Sequence, residues 1–288
     1  VVVIGGGIAG LAAAWYAVQD GHEVVLIDRG GPDGDRCSIG NAGMIVPSHF
    51  VPLASPGSVR LGLLSLADSR SPLRVAPRLD PDYLRWCWQF LRAARASRVA
   101  IAVPALHDLA LLSRRGYEAF TLLWPQGVPL TEHGLLILCR STHALREEHD
   151  DAKMARRLGM PVEILDRDAA TALEPDLDMA IAGAVRYPLD AHVIPQRVVA
   201  TLVAGLAEAG VELRWHTEVV GFRRAESRVA KAVTTTGEIG GDEFVIAAGM
   251  WSAALARTID LPLPLMSGKG YSFTLAKPRV RPAPSPST

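Results

Sequence analysis

The chain has 288 residues, which gives room for about two domains with a sizeable core. Hydrophobic residues make up 49% and charged residues 21%, so the composition excludes a wholly disordered chain. The 30 Lys and Arg residues balance the 30 Asp and Glu residues. Because this zero net charge offers no general attraction for nucleic acid, no nucleic-acid partner is predicted and a small substrate is expected.

The cysteine pattern and the N-terminus indicate the cellular setting. Cys37, Cys87 and Cys139 lie far apart without a Cys-x-x-Cys pair, so neither a disulfide framework nor a zinc ribbon is predicted. The histidines lack metal-ligand spacing, and no metal site is predicted. The charge-free run over residues 37–59 contains prolines that a spanning helix would not accept. The chain starts at Val1 with no signal peptide pattern, so we expect a cytoplasmic protein clipped at its first strand.

The first predicted unit is a strand, a glycine-rich turn, a helix and a second strand. Val1 to Ile4 is a β-branched apolar run typical of a buried parallel strand. The Ala-rich residues that follow, up to Asp20, place large apolar side chains at helical spacing. Residues 23–28 predict the second strand, so the chain opens with a βαβ-type unit.

The glycine-rich turn carries the clearest functional motif. Gly5, Gly7 and Gly10 follow a G-x-G-x-x-G pattern, and Asp28 ends the next strand. In this pattern the first glycine permits a tight turn, the second admits a pyrophosphate and the third allows close helix packing. The helix N-terminus attracts the diphosphate, and Asp28 accepts hydrogen bonds from a ribose diol. The motif predicts a dinucleotide other than NADP and leaves NAD and FAD open.

The middle of the chain predicts a loop followed by helices and strands. Residues 30–59 are rich in Gly, Pro, Ser and Asn and predict the loop. One helix is predicted from Asp80 to about Arg98, with its aromatic residues interpreted as core or interdomain packing. A second helix is predicted from Pro104 to about Leu123. A strand over 135–139, a helix over 142–158 and a strand over 162–165 complete this part.

The last part of the chain returns to alternating helices and strands. A helix is predicted from Pro195 to Glu208, with strands over 211–215, 217–222, 229–236 and 243–247 after it. A short helix ends at Arg257, and an alternating strand is predicted from Lys269 to Leu275. Residues 277–288 contain four prolines and predict a polyproline-like or disordered tail.

Several short segments occur in an order that resembles a known family. They are residues 5–10, 38–43, 190–195, 217–222, 247–252 and 269–272. This order is similar to that of the D-amino-acid oxidase-like (DAO) flavoenzymes, which use FAD. Gly40-Asn41-Ala42-Gly43 and Lys269-Gly270-Tyr271-Ser272 resemble the D-amino acid dehydrogenase small-subunit type. The resemblance extends to about Leu275.

The resemblance implies an α/β fold in two parts. It predicts a Rossmann-like FAD-binding domain that is interleaved with an α+β substrate domain. The FAD-binding domain is expected at residues 1–50 and 186–258. The substrate domain is expected at 51–185 and 259–276, with the proline-rich tail at 277–288.

The resemblance also implies a set of site residues. In such enzymes the segment matching Asn41 to Gly43 lies against the flavin ring and pyrophosphate. The backbone at Val219 faces the adenine, and the turn at Ala248 passes near the cofactor. Tyr271 and His49 are candidates for the substrate pocket, although each also fits a structural role. The full predicted cofactor-binding set is Gly5, Gly7, Ile8, Ala9, Gly10, Asp28, Arg29, Ser38, Asn41, Ala42, Gly43, Val219, Ala248, Gly249 and Trp251.

The reaction implied is oxidation of the CH–NH group of a D-amino acid or a related imino acid, with hydride transfer to FAD. The electrons then pass to a quinone chain or to oxygen. The family binds the substrate carboxylate with an Arg from a segment that follows the Lys-Gly-Tyr strand. Here Leu275 leads into the proline-rich tail, so no Arg is assigned and we expect an incomplete enzyme.

Two alternatives to this reading stay open. The glycine motif alone is equally typical of an NAD-dependent dehydrogenase. The unassigned carboxylate-binding Arg favours a non-catalytic FAD-binding fragment, or a subunit completed by a partner chain. The resemblance further implies peripheral association with the inner face of a membrane, which the neutral charge does not itself support.

Overall fold

The computed structural model describes residues 1–34, 36–65, 78–175 and 177–271. The strands are β1 (Val2–Ile4), β2 (Val25–Ile27), β3 (Met44–Ile45), β4 (Leu135–Cys139), β5 (Glu163–Leu165), β6 (Gly183–Tyr187), β7 (Ala191–His192), β8 (Glu212–Arg214), β9 (Val219–Ala225), β10 (Arg228–Thr234), β11 (Gly237–Gly240) and β12 (Phe244–Ile246). The helices are α1 (Ile8–Gln19), α2 (Pro56–Ser65), α3 (Pro81–Ala93), α4 (Ala96–Leu123), α5 (Thr142–Arg157), α6 (Arg167–Leu173), α7 (Pro195–Glu208) and α8 (Ser252–Arg257), with a 3₁₀ turn at Gly249–Trp251. The predicted tail at 277–288 lies outside the described residues.

A parallel sheet forms the centre of the fold. Its strand order is β12-β1-β2-β8, and β1 pairs with both of its neighbours along its whole length. The β-branched residues of β1 suit a strand that is covered on both faces. The chain passes from β1 through α1 into the parallel β2, so the βαβ unit expected from the sequence is confirmed.

The two faces of the parallel sheet pack against different layers. Val3 belongs to a core with Leu11 of α1 and Leu202 of α7. Val2, the preceding residue, belongs to a core with Ile239 of the antiparallel sheet β11-β10-β9. Because successive side chains of a strand point to opposite faces, helices cover one face and the antiparallel sheet covers the other.

A second antiparallel sheet, with the order β4-β6-β5, comes from the middle of the chain. Helix α5 packs on it through Ala152 and Ala155, which are buried together with Val185. The short strands β3 and β7 pair with each other. This combination of a parallel α/β sheet and a further sheet confirms the predicted fold class. The predicted domain boundary at residues 185/186 falls inside β6, and the division into two domains stays a prediction.

Some elements differ from the sequence-based prediction. The predicted loop over residues 30–59 contains β3 and the start of α2. The first predicted helix ends at Ala93, and α4 already begins at Ala96, so Pro104 lies inside a helix. Proline there removes a backbone hydrogen bond. The neighbouring Val103 is buried against the core of the second sheet, and we attribute the tolerance of Pro104 to this packing.

Helices α3 and α4 expose much apolar surface. Helix α3 contains no buried residue and Trp88 is 56% exposed, so the interpretation of its aromatic residues as core packing is wrong. Interdomain packing of these residues stays a prediction. The other exposed large hydrophobic side chains of the two helices are Leu84, Leu91, Ile101, Leu109, Leu112, Leu122 and Leu123. By length and composition alone α4 is able to cross a membrane, and only 11% of its most apolar stretch is buried. A single helix of this kind also occurs in proteins without a membrane span.

Candidate functional site

The glycine-rich turn joins β1 to α1 at the carboxyl end of the parallel sheet. Gly5 has a φ of 116°, in the region that favours glycine. A β-carbon at this position would lie closer than 3.0 Å to the carbonyl oxygen of Ala247. A β-carbon on Gly10 would likewise lie closer than 3.0 Å to the carbonyl oxygen of Gly5. The glycines therefore allow β12, the turn and α1 to approach one another directly.

The N-terminus of α1 faces a serine from the following loop. Gly7 is the N-cap residue and offers no side chain to the helix. The hydroxyl of Ser38 accepts a hydrogen bond from the Ile8 N–H at 2.9 Å. The first N–H groups of a helix have no partner within it, and the helix dipole is positive at this end. The structure thus brings the predicted residues Gly7, Ile8, Ala9 and Ser38 together where a phosphate is favoured.

The carboxylate of Asp28 lies beside the same turn. Its Oδ2 accepts a hydrogen bond from the Gly6 N–H at 2.6 Å, and its Oδ1 accepts one from the Gly30 N–H at 2.7 Å. The guanidinium of Arg36 lies 3.6 Å from Oδ1. These contacts fix the carboxylate at the ends of β1 and β2. Since a carboxylate oxygen accepts two hydrogen bonds, each retains capacity for a ribose hydroxyl.

Hydrogen bonds from the Asn41 side chain hold the segment from Cys37 to Gly43 in its conformation. The Asn41 amide donates to the carbonyls of Cys37 and Ser38, and its Oδ1 accepts from the Gly43 N–H at 2.7 Å. Gly43 has a φ of 72°, and a β-carbon there would collide with the carbonyl oxygen of Val193. Asn41 thus holds the loop through its side chain, while Ala42 is exposed at the surface.

The end of β12 reaches the turn from the other side. The Ala247 N–H donates to the Ile4 carbonyl at 2.8 Å, and Ala248 then leads into the 3₁₀ turn. Gly249 has a φ of 56°, and within the described residues no atom lies within 4 Å of where its β-carbon would stand. The guanidinium of Arg29 stacks over the Trp251 ring, 3.9 Å from the ring centroid. The 3₁₀ turn therefore borders open space next to Arg29 and Trp251, two of the predicted cofactor-binding residues.

Two further candidates, Val219 and Tyr271, differ in their structural surroundings. Val219 begins β9, where it pairs with Thr234 of β10, and its side chain is buried in the core between the sheets. Tyr271 is 79% exposed beside Lys269. The prediction of a strand is wrong over residues 269–271, where the backbone is irregular, and residues 272–275 lie outside the described ranges. The structure thus gives no support for Tyr271 as a pocket residue.

His49 ends a hydrogen-bonded chain that starts at a buried acid. Asp190, 1% exposed, accepts hydrogen bonds from the Ser48 N–H at 3.1 Å and from the Ser48 hydroxyl at 2.5 Å. The same hydroxyl lies 3.0 Å from His49 Nδ1. Burial raises the pKa of Asp190, and the bonds from Ser48 partly oppose this. Sequence reasoning gave no role to Ser48 or Asp190, because only the fold brings them together.

A cavity opens beside the N-terminus of α1. It is lined by Ile8, Ser38, Asn41, Gly43, Met44, Ile45, Tyr117, Val193, Pro195, Val198 and Val199. Four of these are predicted cofactor-binding residues from two separate segments. Sequence reasoning missed Tyr117, which looks like any aromatic residue of an apolar helix; burial raises the pKa of its hydroxyl. Within the described ranges, no group of three or more His, Cys, Asp or Glu side chains is arranged around a metal position.

Comparison with known proteins identifies relatives along the whole chain. The chain is 33% identical over 281 residues to D-amino acid dehydrogenase 2 of Mesorhizobium japonicum, a match that covers 96% of this chain and 67% of the relative. It is 29% identical over 288 residues to the D-amino acid dehydrogenase of Vibrio atlanticus, covering 99% of this chain and 69% of the relative. The chain therefore spans about two thirds of the length of these relatives.

Solved structures share the fold. Glycine oxidase from Geobacillus kaustophilus superposes with a TM-score of 0.63 at 25% identity, over 90% of this chain and 57% of that one. L-amino acid deaminase from Proteus vulgaris superposes with a TM-score of 0.64 at 12% identity, over 91% of this chain and 56% of that one. The sequence model of the FAD-dependent oxidoreductases called DAO matches residues 1–288. The chain belongs to this DAO family of FAD-dependent oxidoreductases.

Proposed function

We propose that this chain binds FAD at the carboxyl end of its parallel sheet. The observation that carries the proposal is the α1 N-terminus, which faces outward from a turn closed by Gly5 and Gly10 with Asp28 beside it. The diphosphate would bind the first N–H groups of α1 and the Ser38 hydroxyl, and the ribose diol would bind Asp28. The remaining predicted residues would border the rest of the cofactor: Arg29, Asn41, Ala42, Gly43, Val219, Ala248, Gly249 and Trp251.

The residues present fit this cofactor. A β-carbon on Gly7 would stand 3.2 Å from the Ser38 hydroxyl, so any larger residue at Gly7 would fill the space a phosphate needs. Gly249 borders open space where the cofactor would pass. FAD is the cofactor of the family to which the chain belongs. This finding argues against an NAD-dependent dehydrogenase, which the glycine motif alone left open.

The proposed reaction is oxidation of a D-amino acid or a related imino acid at its CH–NH group. Bound FAD supplies the acceptor for the hydride that leaves the α-carbon. The substrate nitrogen must first be a neutral amine, since its lone pair forms the C=N bond as the hydride departs. The imine formed from a primary amine is then hydrolysed to a 2-oxo acid and ammonia, whereas the cyclic imine formed from D-proline keeps its nitrogen. A quinone chain or oxygen takes the electrons. This chain contributes orientation of the cofactor and exclusion of water, and we assign no catalytic residue to it.

Binding and reaction are tested in sequence. We expect the purified chain to quench the fluorescence of added FAD and to hold FAD through gel filtration. D-alanine or D-proline added without oxygen should then bleach the flavin absorbance. A chain that takes up no FAD would refute the cofactor proposal. A chain that holds FAD but is bleached by no amino acid would refute independent turnover and favour a subunit completed by a partner chain.

We also propose that the protein is cytoplasmic and rests on the inner face of a membrane through α3 and α4. Helix α3 exposes Trp88 and Leu91, and the Arg92 guanidinium stacks 4.5 Å from the Trp88 ring centroid. Arg95 and Arg98 are exposed at the start of α4. An unburied helix that combines aromatic, leucine and arginine side chains suits the interface of a bilayer with anionic lipids.

Vesicle sedimentation tests this docking. We expect the chain to sediment with vesicles that contain phosphatidylglycerol and much less with pure phosphatidylcholine. Trp88→Ser together with Leu91→Ser should abolish sedimentation, whereas Leu177→Ser, an exposed leucine elsewhere, should not. Binding that is unchanged by the double substitution would refute the role of α3. If the apolar face instead joins two copies, gel filtration would show a concentration-dependent dimer without vesicle binding, which would also refute the proposal.

A further inference from the structure

Arg36 is a nearly buried cation in the loop that follows β2. Its side chain is 8% exposed, and its guanidinium lies 3.6 Å from Asp28 Oδ1. Nη1 donates to the Pro32 carbonyl at 2.8 Å, and Nη2 donates to the Gly31 carbonyl at 2.5 Å. The loop therefore folds back so that Arg36 touches the acid proposed to bind the ribose.

An indole ring fixes the position of this guanidinium. Trp215 follows β8, the neighbour of β2, and Arg36 lies over its ring at 5.0 Å from the centroid. The same ring lies 2.8 Å from where a β-carbon on Gly6 would stand. Arg36, Trp215, Gly6 and Asp28 thus form one cluster at the carboxyl ends of three adjacent strands.

Arg36 retains an unused donor. Its Nε is buried and has no hydrogen-bond partner among the described residues. A buried donor without an acceptor is costly, because it has lost its hydrogen bonds to water. Arg36 is close to two parts of the proposed site: its guanidinium pairs with Asp28, and Ser38, two residues onward in the chain, accepts a hydrogen bond from the α1 N-terminus.

We propose that Arg36 recognises the diphosphate of the adenosine half of FAD. In the FAD-free chain its guanidinium pairs with the Asp28 carboxylate. In the bound chain the ribose hydroxyls take hydrogen bonds to Asp28, and the guanidinium turns its free donor to a diphosphate oxygen. The fork geometry of arginine suits such a contact. The inference rests on the proposed FAD site and adds a specificity residue to it.

Binding of FAD, ADP and adenosine to Arg36→Gln tests the inference by calorimetry. Glutamine keeps polar hydrogen-bonding groups but loses the charge, so we expect FAD and ADP to bind at least about tenfold more weakly while adenosine is little changed. Arg36→Lys keeps the charge and should recover part of the ADP affinity. Arg60→Gln, at an exposed arginine of α2, is the control and should bind all three as the unmodified chain does.

The outcomes separate the inference from the proposed function. Failure of the unmodified chain to bind FAD would refute the proposed function itself. If the unmodified chain binds FAD and Arg36→Gln binds it equally well, the role of Arg36 is refuted. Equal losses for ADP and adenosine would also refute it, because Arg36 would then act through Asp28 or the loop fold. A shallower salt dependence of ADP binding in Arg36→Gln, with an unchanged Tm, would support a phosphate contact.

Discussion

The carbonyl oxygen of Gly5 lies where a β-carbon on Gly10 would have to stand. This contact joins the end of β1 to the first turn of α1 and leaves no space for a side chain between them. The same close approach keeps the α1 N-terminus beside Asp28 and the end of β12. The spacing of the two glycines is therefore a packing requirement as well as a feature of the proposed FAD site.

We expect Gly10→Ala to destabilise the fold. The added methyl group must displace backbone, and overpacking of this kind costs about 1–3 kcal/mol. Thermal unfolding monitored by circular dichroism should show a lower Tm for this variant. Gly57→Ala in α2 is the matched control, since its β-carbon meets no described atom within 4 Å. An unchanged Tm in Gly10→Ala would contradict the close contact with Gly5.

Asp28→Asn tests the ribose-binding role of the acid. The amide is neutral and keeps one acceptor oxygen, so the Gly6 and Gly30 N–H groups both lose a charged acceptor, and one of them then faces an NH2 group. We expect FAD affinity to fall about tenfold, which corresponds to about 1.4 kcal/mol for the lost charge-assisted bonds. Fluorescence titration measures this change. Asp33→Asn, at an exposed acid of the same loop, is the control and should bind FAD as the unmodified chain does. If Asp28→Asn also binds FAD as the unmodified chain does, the proposed contact between Asp28 and the ribose is refuted.

Ser38→Ala removes the acceptor of the Ile8 N–H at the start of α1. Loss of this hydrogen bond leaves a partly buried N–H without its acceptor and costs about 1–3 kcal/mol, so we expect a lower free energy of unfolding in urea. FAD affinity should also fall, because a diphosphate would lose the hydroxyl donor. Ser38→Thr, which keeps the hydroxyl, should recover most of both losses. Ser97→Ala, at an exposed serine of α4, should change neither quantity.

Asp190 predicts a specific pH dependence of stability. Because burial raises its pKa in the folded chain above the ordinary value of 3.8, its contribution to stability is complete below that value. That contribution is lost as the pH rises through the higher folded-state pKa. Asp190→Asn stays neutral, so the wild-type chain should lose stability relative to this variant as the pH rises from about 4 to about 7. Urea unfolding of both chains across this range measures the difference; a constant difference would contradict the raised pKa.

The sequence alone determined the first βαβ unit and its dinucleotide motif. Residues 1–28 contain a buried strand, a glycine turn and a helix whose signals are all local, and the structure forms them nearly as predicted. The order of short motifs along the chain also indicated the DAO family, which the family comparison confirms. Local signals were misleading for α4, where Pro104 predicted a helix start but packing of Val103 keeps the helix continuous.

The tertiary structure decided which distant residues share a site. Asp190 meets Ser48 across 142 positions of sequence, and Ser38 meets Ile8 across 30, because the pairing of β3 with β7 and the turn after β2 place them side by side. No local pattern encodes such contacts, since each depends on how whole strands and helices pack. The burial of Arg36 against Trp215 likewise arises only when β2 and β8 become neighbours. The sequence thus determined the type of cofactor site, while packing decided which charges surround it.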